Sequence, residues 1–151
     1  VKSRQDGGVF CCIMADIDHF KSFNDRYGHA VGDEVIRAVV RNLQGGLRQQ
    51  DVLCRYGGEE FCIVLPNTPL QVALEVAERL RNSVEQNAGS SLRTLQDVRV
   101  TSSFGAAESD ATMLDPAELI GRADEALYAS KKTGRNKVSP WSSEMAGQGE
   151  K

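Results

Sequence analysis

The feature that most constrains the fold is a pair of glycines between two strand-like segments in the middle of the chain. Residues 51–56 and 61–65 are rich in apolar side chains, and the Gly-Gly-Glu-Glu segment at 57–60 separates them. Paired glycines between two such segments predict a tight turn that joins antiparallel strands. A fold with this hairpin is not a doubly wound, purely parallel sheet.

The apolar pattern predicts the remaining elements, in the order β-α-α-β-β-α-β-α-β. The other predicted strands cover residues 9–17, 98–107 and 136–139, and the predicted helices cover 19–27, 31–43, 68–86 and 115–133. Asn67 or Thr68 is expected to cap the third helix. Asp115 and Pro116 supply an N-cap and a first-turn proline for the fourth. The mixture of helices and strands predicts an α+β fold with at least one antiparallel pair.

Size and charge narrow the class of protein. The 151 residues are enough for one domain, and we expect a domain over 1–139 followed by a flexible tail over 140–151. The net charge of −3 argues against a nucleic-acid partner. The apolar run at 9–15 is too short to cross a membrane, so we expect no membrane contact by this domain.

The four cysteines lack metal-binding spacing and are expected to be reduced thiols of a cytoplasmic protein, mostly buried.

Two pairs of acids fall at the predicted strand ends. Asp16 and Asp18 end the first strand, and Glu59 and Glu60 follow the paired glycines. If the hairpin lies beside the first strand, the two pairs meet at one edge of the sheet. Such carboxylates suit Mg²⁺, which takes one or two of them together with substrate phosphates. The alternative is that these acids are simply solvated.

Three basic residues lie where an anion could bind. Lys21 follows the start of a helix, whose free N–H groups attract anions, and Lys131 and Arg135 lie four apart near a helix end. Each has a structural alternative, because exposed lysines are common and cations complement a helix C-terminus. The sequence has neither a P-loop nor a dinucleotide-binding glycine motif, and His19 and His29 belong to no recognisable catalytic triad.

Four segments together resemble one family. R-Y-G-G-E-E-F at 55–61 resembles the signature of the GGDEF family in its GGEEF form. D-I-D-H-F-K at 16–21, N-D-R-Y-G-H-A-V-G-D at 24–33 and A-D-E-A-L-Y-A-S-K-K-T-G-R-N at 123–136 match further family motifs in order. The resemblance spans residues 9–139. It implies a mixed, largely antiparallel central sheet flanked by helices, similar to nucleotidyl cyclase and polymerase palm domains.

The resemblance also implies an activity and a metal site. GGDEF domains are diguanylate cyclases, which condense two GTP molecules into cyclic di-GMP and release two pyrophosphates. By this resemblance Asp16, Glu59 and the carbonyl of Ile17 hold Mg²⁺ or Mn²⁺. Glu60 either binds a second metal ion or helps to deprotonate the attacking 3′-hydroxyl.

The substrate contacts carry over in the same way. The resemblance implies that Asn24 and Asp33 bind guanine and that His29 lies beside the same nucleotide. It also implies that Lys21, Lys131 and Arg135 hold the phosphates.

Since each domain of the family binds one GTP, the active form is expected to be a homodimer through the catalytic face. An upstream sensory or dimerising module, which could tether the domain to a membrane or sensor protein, would control this encounter.

The resemblance further implies a product-inhibition site. Arg48-Gln49-Gln50-Asp51 fits the RxxD site of the family, at which Arg48 and Asp51 bind cyclic di-GMP, and Arg79 assists by position. An exposed ion pair would give the same four-residue pattern.

The start of the sequence departs from the family pattern, and two alternative functions fit the same residues. Residues 1–8 do not match the D-x-L-T-G-L-x-N-R segment with which family domains usually open, and the chain has no initiator Met. We therefore expect a piece of a longer protein that lacks the usual N-terminal segment. The alternatives to a cyclase are a catalytically silent module that binds GTP or cyclic di-GMP, and a purely structural dimerisation domain.

Overall fold

The computed structural model describes residues 8–147. Residues 1–7 of the expected domain and residues 148–151 of the predicted tail lie outside this range. The strands are β1 (Cys11–Ile17), β2 (Val52–Arg55), β3 (Glu60–Leu65), β4 (Ser102–Glu108) and β5 (Val138–Pro140). The helices are α1 (Phe20–Tyr27), α2 (His29–Gly45), α3 (Leu70–Ser83) and α4 (Pro116–Lys132). Among the helices of residues 8–147, none combines the length and the apolarity that crossing a bilayer requires.

The five strands form one mixed sheet in the order β2-β3-β1-β4-β5. β1 is antiparallel to both β3 and β4, β2 is antiparallel to β3, and β5 is parallel to β4. All seven residues of β1 are buried, because the strand lies in the centre of the sheet and helices cover both faces. The predicted α+β class, the hairpin and the mixed, largely antiparallel sheet are therefore confirmed.

Side chains of β1 alternate between two hydrophobic cores. Ile13 and Ile17 belong to the larger core, to which α2 and α3 contribute residues such as Val39 and Leu80. Cys12 and Met14, the two neighbours of Ile13 along the strand, belong to a smaller core beneath α4. This period-two alternation explains why the whole strand is apolar although each face packs against different helices.

Helix α4 approaches the sheet closely at Gly105 of β4. A Cβ atom added to Gly105 would lie 2.0 Å from the amide nitrogen of Leu127 and 2.4 Å from the carbonyl oxygen of Ala123. Both atoms belong to the helix backbone, which cannot move without moving α4. The absence of a side chain at position 105 therefore sets the distance between α4 and the sheet.

The start of β4 differs from the prediction. The strand begins at Ser102 rather than at residue 98, because the pairing with β1 stops at the Ile17–Ser102 pair. Val98 instead packs against the 3₁₀ turn Gly89–Ser91, where a Cβ on Gly89 would lie 2.0 Å from the Val98 carbonyl oxygen.

The predicted cap of α3 was wrong, whereas the cap of α4 is confirmed. Pro69 precedes α3, and Thr68 donates its hydroxyl hydrogen to the Pro66 carbonyl instead of capping the helix. The first free N–H group of α3, that of Leu70, donates to the carboxylate of Glu108 at the end of β4. At α4, Asp115 accepts from the backbone N–H of the second helical residue and takes part in a capping box.

Ordered chain continues past the predicted boundary at residue 139. β5 extends to Pro140, and Trp141 then stacks on Arg122 and donates its indole N–H to Glu125, both on α4. The same glutamate accepts from the N–H of Gly147. Trp141 and Gly147 therefore contact α4, and the flexible tail over 140–151 stays a prediction.

The predicted burial is present for three of the four cysteines. Cys11, Cys12 and Cys62 are buried free thiols, and Cys54 is a free thiol exposed on the edge strand β2.

Replacing Gly105 with alanine should destabilise the fold by about 3 kcal/mol, because the added methyl group clashes with the backbone of α4. Gly121→Ala is the matched control, since Gly121 is an exposed α4 residue with open space around it. That change should instead stabilise the helix by about 0.5–1 kcal/mol. Urea unfolding followed by far-ultraviolet circular dichroism measures both. Equal stability of the two variants would contradict the close approach.

Candidate active site

Two carboxylates lie at directly opposite positions of the adjacent strands β1 and β3. Asp16, near the end of β1, pairs directly with Glu60, the first residue of β3. Side chains at directly opposite positions have their Cβ atoms about 4.5–5.5 Å apart. Asp16 is only 6% exposed, so water cannot fully screen this pair. A like charge at such a distance disfavours ionisation of both carboxyls, and a nearby cation offsets this effect.

Lys131 supplies that cation from the last turn of α4. Its ammonium group forms an ion pair with Oδ2 of Asp16, and its side chain is only 15% exposed. The pKa of Asp16 is raised to about 6, chiefly because the carboxyl is buried; Lys131 opposes the rise, and Glu59 and Glu60 add to it. A carboxyl whose pKa is higher in the folded than in the unfolded protein contributes most to stability when it is protonated. That contribution is therefore lost as the pH rises through about 6.

The signature hairpin is tied to the end of β1. Arg55 donates from Nε and Nη2 to the carbonyl of Gly58, at 3.0 and 2.7 Å, and so holds the turn closed. The N–H of Ile17 donates to the carbonyl of Glu59 at 3.2 Å. The predicted meeting of the two acidic segments at one edge of the sheet is thus present for Asp16, Glu59 and Glu60.

Asp18, expected in the same acidic cluster, has different surroundings. Its Oδ1 accepts from the Ser103 hydroxyl at 2.6 Å. Its Oδ2 accepts from the Thr101 hydroxyl at 2.7 Å and from the Asn136 backbone N–H at 3.1 Å. Both carboxylate oxygens therefore bond to protein donors, and Asp18 connects β1 to the start of β4 and to the segment after α4.

The segment after α4 carries the second predicted cation in an unusual backbone conformation. Gly134, Arg135 and Asn136 all have positive φ, at 123°, 64° and 50°. The left-handed conformation costs about 1–2 kcal/mol for a residue with a side chain. Arg135 is exposed, and its backbone N–H donates to Ser130 at 2.9 Å. The protein therefore holds this strained turn beside Lys131 by hydrogen bonds.

Sequence reasoning missed the residues that hold this turn. They are Thr101 and Ser103 on the strand side and Arg81 of α3, which donates from Nη1 to Oδ1 of Asn136 at 3.0 Å. One signal was present. The run Thr-Ser-Ser at 101–103 is polar within an otherwise apolar predicted strand, and all three residues are buried.

The predicted guanine-binding residues lie where α1 meets α2. Asn24 packs so closely on Gly32 that a Cβ there would lie 1.7 Å from Asn24 Oδ1. This oxygen is buried and has no hydrogen-bond partner within the described residues. His29 begins α2 and Asp33 follows Gly32, and both are exposed. Gly28, at φ 91°, forms the bend between the two helices.

Lys21 remains accessible on α1. Its side chain is 90% exposed and forms an ion pair with Asp25 of the same helix at 3.4 Å. It can therefore reach a bound anion without leaving a buried partner.

A cleft of about 500 Å³ borders Glu60 on the α4 side of the sheet. Asp124 and Gly121 of α4 line one wall, and Met14 and Tyr56 line the other parts. Sequence reasoning assigned neither Tyr56 nor Asp124 to a site, although both lie within matched motifs.

The predicted RxxD residues are together at the other end of β2 from the signature hairpin. Arg48 donates from Nε and Nη2 to the carboxylate of Asp51, and from Nη2 to the Thr68 hydroxyl at 2.8 Å. The Asp51 side chain is 1% exposed and that of Arg48 is 41% exposed. The hydrogen bonds to Asp51 raise the pKa of Arg48. Arg79 donates to the carbonyl of Gly46 at 2.8 Å and so lies at the same loop.

Replacing Lys131 with methionine should raise the pKa of Asp16 above about 6, because Lys131 is the group that lowers it. A ¹³C NMR titration of the aspartate carboxyls in metal-free buffer measures this pKa. Lys21→Met, which removes an exposed lysine paired with Asp25, is the control and should leave the pKa unchanged. An unmoved Asp16 resonance in the Lys131 variant would contradict the buried ion pair.

The comparisons with known proteins agree on one family. The sequence profile described as "Diguanylate cyclase, GGDEF domain" matches residues 2–137. Diguanylate cyclase VdcA of Vibrio cholerae is 45% identical over 130 residues, which cover 85% of this chain and 38% of VdcA. Probable diguanylate cyclase DgcT of Escherichia coli is 43% identical over 129 residues, covering 85% of this chain and 28% of DgcT. The chain thus spans about a third of the length of such relatives.

Solved structures match more than nine-tenths of the chain. The GGDEF domain of DgcB from Caulobacter crescentus, in complex with c-di-GMP, has a TM-score of 0.84 and 35% identity, covering 92% of this chain and 81% of that one. The active GGEEF domain of a diguanylate cyclase from Vibrio cholerae has a TM-score of 0.84 and 30% identity, covering 93% and 88%. The chain therefore belongs to the GGDEF family of diguanylate cyclase domains.

Proposed function

We propose that this chain is a catalytically competent diguanylate cyclase domain, which condenses two GTP molecules into cyclic di-GMP and releases two pyrophosphates. The observation that carries the proposal is the meeting of Asp16, Glu60 and Lys131 at one end of the sheet. Phosphoryl transfer depends on positioning and on charge neutralisation more than on covalent chemistry. A carboxylate pair would position a divalent metal ion, and the metal ion together with Lys131 would offset the phosphate charge.

The donor set fits a divalent metal ion bound together with a nucleotide. No three His, Cys, Asp or Glu side chains of residues 8–147 converge on one point. Mg²⁺ bound with substrate phosphates needs only one or two carboxylates, because phosphate oxygens and water complete its coordination. Asp16, Glu59 and the Ile17 carbonyl would hold Mg²⁺ or Mn²⁺, and Lys131 marks Asp16 as a position that takes a cation. When bound, the metal supplies positive charge that offsets the triphosphate.

The cations and the α1–α2 junction would hold the substrate. Lys21, Lys131 and Arg135 would contact the phosphates. Asn24 and Asp33 would recognise guanine, with His29 beside the same nucleotide. The buried acceptor of Asn24 supports this role, because an unpartnered oxygen destabilises the free protein by about 1–3 kcal/mol and a ligand donor can satisfy it. The Asp33 carboxylate would accept from the N1–H and the 2-amino group of guanine, and adenine has neither of these donors.

The reaction requires two chains. In each half-reaction the 3′-hydroxyl of one GTP would attack the α-phosphorus of the other. A new P–O bond forms, the bond between the α-phosphorus and the α–β bridging oxygen breaks, and pyrophosphate leaves. Glu60 either accepts the hydroxyl proton or binds a second metal ion. Because one chain would hold one GTP, the active form would be a homodimer with the two catalytic faces opposed. A sensory or dimerising domain elsewhere in a longer cytoplasmic protein would control this encounter.

Glu60→Gln should lower turnover by at least about 100-fold, because the variant removes the candidate base or metal ligand. Cyclic di-GMP and pyrophosphate are quantified after incubation with GTP and Mg²⁺, and the specific rate should rise with protein concentration. Glu75→Gln, at an exposed position on α3, is the matched control and should turn over normally.

Direct GTP binding separates the alternatives. Tight binding by the unaltered protein with no product at any concentration would favour the silent binding module. If the unaltered protein does not bind GTP, the assigned site is wrong.

Arg48, Asp51 and Arg79 would form a product-inhibition site for cyclic di-GMP. The Arg48 guanidinium is partly exposed and suits a phosphate or a guanine edge. Asp51, whose carboxylate faces Arg48, suits guanine N–H groups. The position of Arg79 at the same loop supports its inclusion.

Arg48→Ala should raise the cyclic di-GMP concentration that halves the initial rate by at least about tenfold, because it removes a charged hydrogen-bond donor. Arg41→Ala, at an exposed position on α2, is the control. Thermal unfolding is measured in parallel, since Arg48 also pairs with the buried Asp51 carboxylate. Unchanged inhibition in a folded Arg48 variant would exclude the RxxD assignment.

A further inference from the structure

We propose that Asp18 is a positioning residue, whose carboxylate holds the turn after α4 so that Lys131 and Arg135 are oriented toward the substrate phosphates. The part of this inference that concerns phosphates rests on the proposed function. The part that concerns the turn rests on the contacts alone.

The carboxylate of Asp18 is fully engaged by the protein. It bridges two adjoining parts of the structure, with the Thr101 and Ser103 hydroxyls on one side and the Asn136 N–H on the other. Its own backbone N–H donates to the Thr101 carbonyl at 3.0 Å. Asp18 is therefore placed to hold neighbouring segments together, although it lies only two positions after the candidate metal ligand Asp16.

The turn needs this support because of its backbone conformation. Arg135 and Asn136 are consecutive residues with side chains at positive φ, a conformation that such residues rarely adopt. The Asn136 N–H donates to both Asp18 Oδ2 and Ser103 Oγ, each at 3.1 Å. Removing the Asp18 acceptor weakens the restraint on this conformation and lets the turn relax.

This backbone turn orients the two cations, Lys131 and Arg135. Lys131 precedes it on the last turn of α4, and Arg135 lies within it and donates weakly to the Lys131 carbonyl at 3.5 Å. On the strand side, Ser102 donates to the Asp16 carbonyl at 2.7 Å. The 101–103 segment therefore contacts both the strand end that carries Asp16 and the residue that holds the cationic turn.

Two substitutions of Asp18 distinguish a positioning role from a role that needs negative charge, because one keeps the hydrogen bonds and the other removes them. In Asp18→Asn, the amide oxygen can still accept from Thr101 and Asn136, and the amide NH₂ can donate to Ser103 Oγ. In Asp18→Ala, all three bonds are lost. A residue that acts by position should therefore tolerate asparagine and not alanine, whereas a metal ligand should tolerate neither.

Both variants are measured for the KM and kcat of GTP turnover, for the Mg²⁺ concentration that gives half-maximal rate, and for the exchange rate of the Asn136 amide by NMR. Asp18→Ala should raise the KM about tenfold, because the phosphate-facing cations lose their orientation. It should also speed the exchange of the Asn136 amide and leave the Mg²⁺ requirement unchanged. Asp18→Asn should stay within about threefold of the unaltered protein in all of these.

Three results would overturn the proposal. The first is an unchanged KM in Asp18→Ala with a lower kcat, which indicates only a smaller folded fraction. The second is a matching loss in Asp18→Asn with a raised Mg²⁺ requirement, which indicates a metal ligand. The third is slow Asn136 exchange in Asp18→Ala. Since the exchange experiment needs no nucleotide, a protein that fails to bind GTP would refute the proposed function without obscuring whether Asp18 holds the turn.

Discussion

The double pairing of β1 holds the candidate active site together. This strand is hydrogen-bonded on one side to β3 and on the other to β4, and both faces are covered by helices. Its register places Asp16 opposite Glu60 on one side and opposite Ser103 on the other. A slip of one residue would turn every β1 side chain to the other face and carry Asp16 into the larger apolar core. Burial on both faces therefore fixes the acidic site as well as the fold.

The elements that could be predicted from the sequence are those whose signals are local. The glycine pair indicates the hairpin, and Asp115 with Pro116 indicates the start of α4, because each motif acts within a few residues. The start of α3 could not be predicted in this way. Its first free N–H group bonds to Glu108, which is 38 positions away, and that contact exists only after the sheet has formed.

The same distinction applies to the site. Motifs identify Asp16, Glu60 and Lys131 as residues of interest, but the ion pair between Asp16 and Lys131 follows from the packing of α4 across the sheet. Asp18 illustrates the limit more clearly. It lies two positions after Asp16 in an acidic motif and has the sequence appearance of a metal ligand. Only its tertiary contacts with Thr101, Ser103 and Asn136 distinguish it. Buried hydroxyls in a strand were the available clue.

The packing of Trp141 on α4 determines which event the tryptophan fluorescence of this chain reports. Trp141 is the single tryptophan, and Arg122 and Glu125 of α4 hold its side chain against the smaller core beneath that helix. Its intrinsic fluorescence therefore follows the attachment of the C-terminal segment to α4 and the smaller core rather than the packing of the larger core. Emission and circular dichroism are thus reporters of two different events, and their transitions coincide only when the segment detaches as the domain unfolds.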